Sequence, residues 1–193
     1  AAAHIERAVA GNGNVAAYHD NLGLVYRALG RIDEAVHHGR RAVALDRRNP
    51  GSFFNLAGAL VDQGRDKEAA RPLRRAITLD PSYAEAHNSL ANLLARDGQG
   101  EQALSHYKRA IAARPDYPEA LGNLANALAS LDRIEEALPQ YERALEMRPD
   151  DPDTLLNMAQ ALSKAERPGE GIDACRRALA LAPDSTAAHF QLA

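Results

Sequence analysis

The 193-residue sequence has no tryptophan, one cysteine, two methionines and only 5% aromatic residues. Close packing of alanine-rich helices accounts for so small a share of bulky rings. A single cysteine, Cys175, cannot form an internal disulfide, which leaves the redox compartment open. No apolar run approaches membrane-spanning length, and no signal-peptide pattern opens the chain. The expectation is therefore no membrane partner, with the cytoplasm favoured. The 23 Lys and Arg against 26 Asp and Glu leave a formal charge of −3, which argues against a general nucleic-acid binder. Nor is there a Gly-rich phosphate loop, a Gly-x-Ser-x-Gly elbow, a paired catalytic acid, or a His/Cys pair at metal-ligand spacing. No catalytic residue, metal or cofactor is expected.

What the chain does contain is a repeat. From Ala16 one pattern returns at a single unbroken spacing, over 16–49, 50–83, 84–117, 118–151 and 152–185. One column reads Leu22, Leu56, Leu90, Leu124, Met158, Leu192, and the next Gly23, Ala57, Ala91, Ala125, Ala159, Ala193. A third holds Ala35, Ala69, Ala103, Ala137, Gly171, and a fourth Ala8, Ala42, Ala76, Ala110, Ala144, Ala178. His19, Leu22, Gly23 and Tyr26 have the i, i+3, i+4, i+7 spacing of an amphipathic helix. Small residues in fixed rows let two helix backbones approach, and the large residues beside them fill the remaining space. Each repeat thus predicts a first helix, A, and a second, B. Gly30, Gly64 and Gly98 fall where A should end and can take positive φ. Asp132 and Glu166 stand at that position in the last two repeats, which predicts less regular turns there. Pro81, Pro115, Pro149 and Pro183 mark the ends of B helices. Pro72 and Pro139 fall early in B helices and predict local distortion rather than a broken helix.

These columns resemble the tetratricopeptide repeat (TPR) signature, and their spacing matches that family's period. The resemblance covers nearly the whole chain. It implies an all-α fold, a TPR α-solenoid in which antiparallel helix pairs wind into a right-handed superhelix. On this reading residues 1–193 form a single array, with 1–15 the second half of a preceding repeat and 186–193 the start of a further one. Terminal repeats normally carry polar caps, and neither end does, so the chain reads as a piece of a longer protein. A stack of equal repeats has no unique loop for a catalytic centre and offers an extended surface instead. The expected function is a non-catalytic scaffold binding an extended peptide or protein segment. Two alternatives stay open. One is the substrate-recruiting arm of a larger, glycosyltransferase-like enzyme. The other is a module that self-associates through its uncapped ends. Ala, Arg and Leu usage hints at a bacterial source.

In TPR proteins the side of helix A opposite its core stripe lines a concave groove. One row on that side is Asn21, Asn55, Ser89, Asn123, Asn157, Gln191, and a second is Leu24, Gly58, Asn92, Asn126, Gln160. Asn is a mediocre helix former, so its recurrence is not explained by propensity. An amide offers a donor and an acceptor and can pair with a peptide backbone. The strings His87-Asn88-Ser89-Leu90-Ala91-Asn92 and Leu121-Gly122-Asn123-Leu124-Ala125-Asn126 resemble helix A of the O-linked N-acetylglucosamine transferases, whose groove carries an asparagine ladder. The candidate peptide-binding residues are accordingly Asn21, Asn55, Asn92, Asn123, Asn126, Asn157 and Gln160. Ser89 interrupts the ladder, and the amides also have a plainer reading as partners of neighbouring backbone or solvent. Glu85, Glu119 and Asp153 stand near the start of A helices, while Arg27, Arg96 and Lys164 lie toward the other end. Asn88, Asn92 and Asn123 partly resemble the carboxylate clamp of chaperone-tail binders, but Asp153 and Asn157 stand where that clamp needs cations.

Other constellations read as structural. Arg7, Arg41, Arg75, Arg109, Arg143 and Arg177 form one row on B helices, a solvated face. His19, His87 and His189 share a row with Phe53, Leu121 and Leu155 and read as core or half-core. His37 and His38, being adjacent, cannot converge from one helix face. Cys175 shares a row with Leu73, Tyr107 and Tyr141 and reads as a core filler.

Overall fold

Two rows of small residues decide where the helices of each pair meet. The computed structural model describes residues 14–192. Readings that fall on Arg7, Ala8 and Ala193 lie outside the described residues, as does the side chain of Leu192. The described residues form eleven helices and no strand. The A helices are α1 (Ala16–Ala28), α3 (Pro50–Asp62), α5 (Ala84–Arg96), α7 (Pro118–Ser130), α9 (Pro152–Lys164) and α11 (Thr186–Leu192), each starting one period after the last. The B helices are α2 (Ile32–Leu45), α4 (Asp66–Leu79), α6 (Gly100–Ala113), α8 (Ile134–Met147) and α10 (Pro168–Leu181). The chain divides between Leu93 and Leu94, inside α5, into two units, each described by itself.

In the first unit α1 packs on α2 and α3, α2 on α3, and α3 on α4. In the second, α6 packs on α7, α7 on α8 and α9, α8 on α9, α9 on α10, and α10 on α11. The alanine rows are buried throughout: Ala35, Ala42, Ala69, Ala76, Ala103, Ala110, Ala137 and Ala178 are at most 1% exposed. Gly171 belongs to the same contact, since a Cβ there would lie 3.1 Å from the Ala159 carbonyl oxygen. Leu22, Leu56, Leu90 and Leu124 fill the large row. Cys175 is buried, as its row predicts. Asn49 accepts a hydrogen bond from the Gly51 amide (2.9 Å), and Asp151 accepts one from the Thr154 amide (3.3 Å). These two side chains satisfy otherwise orphan donors at the starts of α3 and α9.

The turns correct one expectation. Gly30, Gly64 and Gly98 take φ of 72°, 75° and 76°, and Asp132 and Glu166 take φ of 60° and 58°. All five turns close with the same two hydrogen bonds, seen in Gly64 N to Val61 O and Arg65 N to Leu60 O (both 2.8 Å). Asp132 N to Ala129 O (3.2 Å) and Arg133 N to Leu128 O (2.9 Å) match them. The last two turns are as regular as the first three, because the backbone bonds impose the left-handed residue whatever its side chain. A Glu there carries steric strain of roughly 1–2 kcal/mol, against about 0.5–1 kcal/mol of chain entropy that a Gly would lose on folding. Glu166→Gly is therefore expected to hold or slightly raise the melting temperature, and Gly64→Ala to lower it. Thermal melts that shift in the same direction would contradict this.

The prolines leave their helices unbroken, as expected. Both α4 and α8 continue as unbroken helix through Pro72 and Pro139. Packing of the buried flanking residues, Ala69, Leu73, Leu138 and Tyr141 among them, holds each helix across the missing hydrogen bond.

A local device recurs just after four of the turns. Arg31, Arg65, Arg133 and Arg167 pair with Glu34, Glu68, Glu136 and Glu170 three residues on, at 2.7–2.8 Å. In each case the arginine holds the carboxyl below its ordinary range. The acid sits in the first turn of a B helix, where negative charge also suits the helix dipole.

Candidate functional site

The amide rows flank the buried stripe of each A helix, about 100° from the core direction, and so reach solvent. Asn21, Asn126 and Gln160 are exposed, while Asn55, Asn92, Asn123 and Asn157 are half-buried. In the second unit three of them come together. Asn126, Asn157 and Gln160 line a cleft of about 240 Å³ with Ser130, Tyr141 and Lys164. Asn123 lies one turn before Asn126 on α7. The Tyr141 hydroxyl donates to Asn126 Oδ1 at 2.6 Å. Burial pushes the Tyr141 phenol up to about 12, so it stays a neutral donor at physiological pH. With Oδ1 engaged by Tyr141, Asn126 keeps its –NH2 group as a donor.

The first unit is built differently. Arg27 reaches from α1 across Gly58 on α3, and its guanidinium pairs with Asp62. A Cβ at Gly58 would lie 2.7 Å from Arg27 Nη1, so the absence of a side chain there admits the cation. Where the second row carries Gly58, an ion pair covers the helix.

Asp20 sits beside that face and is 9% exposed. Ser52 donates to its Oδ2, and among the described residues its Oδ1 has no hydrogen-bond partner. Burial raises its carboxyl above the ordinary range, with Ser52 and Asn55 pulling the other way. The folded chain thus holds a proton on Asp20 more tightly than the unfolded chain does, so ionisation costs stability above that raised value. Asp20→Asn is expected to stabilise the protein at neutral pH, by under about 1 kcal/mol after solvent screening. Its advantage should shrink as the pH falls toward 4. Denaturant titrations of both chains at pH 7 and pH 4.5 check this, and a constant difference would rule it out.

Structural residues also fall out differently from expectation. His19 and His87 are buried, and His189, on the last described helix, is exposed. His87 Nε2 and His189 Nε2 each contact a proline carbonyl six residues earlier, at 3.1 and 2.9 Å. His38 does converge with another histidine, across the helix pair rather than along one helix. Its Nδ1 lies 2.8 Å from Nδ1 of His19, and the rings stack. The antiparallel pairing that sets Gly23 against Ala35 puts His19, one turn earlier, opposite His38, about one turn later, so this contact was recoverable from the rows. Among the described residues no group of three His, Cys, Asp or Glu side chains could hold a metal. The B-helix arginines are exposed, and Arg75 and Arg177 each reach a backbone carbonyl 28 residues earlier, those of Arg47 and Pro149, at 3.4 Å. Asn88, part of the rejected chaperone-tail clamp, is 2% exposed and offers a ligand little.

Comparison with known proteins agrees with the helix pairing. The family described as "Tetratricopeptide repeat" matches residues 16–49, 82–150 and 128–192, and "TPR repeat" matches 57–98. No curated protein matches the sequence. Among solved structures, PilW, described as a widely conserved type IV pilus biogenesis factor, is similar at a TM-score of 0.87 and 20% identity, over 99% of this chain and 89% of its own. YrrB, described as a TPR protein with an unusual peptide-binding site, is similar at 0.79 and 20% identity, over 98% of both chains. MamA is similar at 0.78 and 21% identity, over 88% of this chain and 92% of its own. The chain belongs to the tetratricopeptide repeat family.

Proposed function

We propose that this TPR chain is a non-catalytic interaction scaffold that holds an extended peptide segment against the A-helix face, with the cleft around Asn126, Asn157 and Gln160 as its centre. The observation that carries this reading is the convergence of three amides and Lys164 on one solvent-accessible cleft. Its chemistry suits a peptide backbone. Amides supply both donors and acceptors, and Tyr141 orients Asn126 before any ligand arrives, which lowers the ordering cost of binding. Recognition through backbone groups would be tolerant of ligand sequence, with Lys164 favouring a carboxylate near one end. That YrrB is described as having a peptide-binding site is consistent with this use of the fold.

The test uses peptides selected on the whole chain from a displayed library. Their affinity should fall when Asn123 and Asn126 are both replaced by alanine, with the melting temperature nearly unchanged. Undiminished affinity would remove these amides from the mechanism.

A further inference from the structure

The first unit carries a second cavity, of about 490 Å³, walled by α2 and α4 and floored by α3. Phe53, Leu56 and Leu60 form an apolar base. Arg40, Arg47, Arg71 and Arg75 stand around it, with Glu68 the one acid. Glu68 is already committed to Arg65 at 2.7 Å and lies 3.7 Å from Arg40. Arg75 sits with its guanidinium carbon 6.0 Å from the centre of the Phe53 ring. Among the described residues neither Arg47 nor Arg71 has a carboxylate within ion-pair distance. On a chain of net charge −3 this is a local excess of positive charge around an apolar-lined cavity.

The arrangement does not recur with the repeat. One period later the four arginines become Arg74, Pro81, Ser105 and Arg109. A merely solvated B-helix face would return once in every repeat, as the single row through Arg75 does.

We infer that this groove docks an acidic peptide segment, with a large apolar side chain seated on Phe53, Leu56 and Leu60 and flanking carboxylates on the arginines. Guanidinium groups match carboxylates two bonds at a time, which makes Arg the effective cation here. Arg40 stands on α2 and Arg47 in the loop after it, while Arg71 and Arg75 stand on α4, so cations line both walls of the groove. An extended segment rises about 3.3 Å per residue, so acids three positions apart stand about 10 Å from each other and can meet cations on either side of the seated side chain. A fatty acid, with one charge, would leave most of the guanidiniums unmet. This site is independent of the amide cleft on the A helices.

The probe is a fluorescein-labelled peptide of sequence glycine–aspartate–leucine–phenylalanine–aspartate–glycine, titrated into the full chain. Saturable binding is expected, at least tenfold weaker for Arg47→Ala with Arg71→Ala, weaker again when the probe's phenylalanine is alanine, and reduced by added salt. The Asn123→Ala, Asn126→Ala chain should bind the probe as the parent does, which separates this site from the amide cleft. Both arginines are exposed, so circular dichroism of the double variant should match the parent. In the unaltered chain, amide NMR shifts on peptide addition should centre on Val43, Leu56 and Leu60. No saturation by about 1 mM, equal binding by the arginine variant, shifts confined elsewhere, or binding of dodecanoate in place of the peptide would each overturn the proposal.

Discussion

Replacing Ala110 by leucine is expected to destabilise the second unit by roughly 1–3 kcal/mol, because the extra atoms have nowhere to go. Ala110 is 0% exposed and belongs to a row whose other described members, Ala42, Ala76, Ala144 and Ala178, are at most 3% exposed. A residue with so short a side chain brings its helix close to its neighbours, and at 0% exposure the space a leucine needs is already taken. Relief requires α6 to move away from α7, which breaks contacts along the whole interface rather than at one point. At about 2–4 °C per kcal/mol for a chain of this size, the melting temperature should drop by several degrees. Ala112→Leu, two residues away on the exposed side of α6, is the control and should fall within about 0.5 kcal/mol of the parent. Melts followed by circular dichroism decide the matter. Parent-like stability of Ala110→Leu would mean that this row does not mark the helix interface.

The small rows were readable because steric exclusion acts at one position per helix and returns with every period. Glycine at Gly30, Gly64 and Gly98 was readable for the same reason. Asp132 and Glu166 were misread because the repeating element is a pair of backbone hydrogen bonds, and residue type shows that only when the residue is glycine. Spacing could put the candidate amides on one side of the A helices but could not group them in a cleft. Side-chain direction decides which amides converge, so neither the Tyr141–Asn126 bond nor the Arg27 guanidinium over Gly58 follows from spacing. The arginine groove escaped notice because its members come from three helices and a following loop. Arg40, Arg47 and Arg71 lie outside the one column in which Arg75 was read.

Loss of the ladder amides should separate binding from folding more sharply than any other change. Asn123 is half-buried and Asn126 exposed, so replacing both by alanine should alter stability by no more than about 1 kcal/mol. Alanine also favours helix over asparagine, which offsets part of any loss. The two amides together can make two or three bonds to a peptide backbone, and a net bond contributes about 0.5–1.5 kcal/mol. A combined loss of about 2 kcal/mol weakens binding roughly thirtyfold. Tyr141→Phe keeps the buried ring but releases Asn126 Oδ1, so the amide is present without its orientation. If orientation before binding matters, that variant should bind several-fold more weakly than the parent, yet better than the double alanine chain. Methylating alternate backbone nitrogens of a selected peptide should mimic the loss, because it removes the donors that the amide oxygens would accept. A peptide indifferent to methylation and to the amides, but sensitive to Arg47 and Arg71, would be seated in the arginine groove. A peptide sensitive to none of these would show that the A-helix cleft is not where this chain meets its partner.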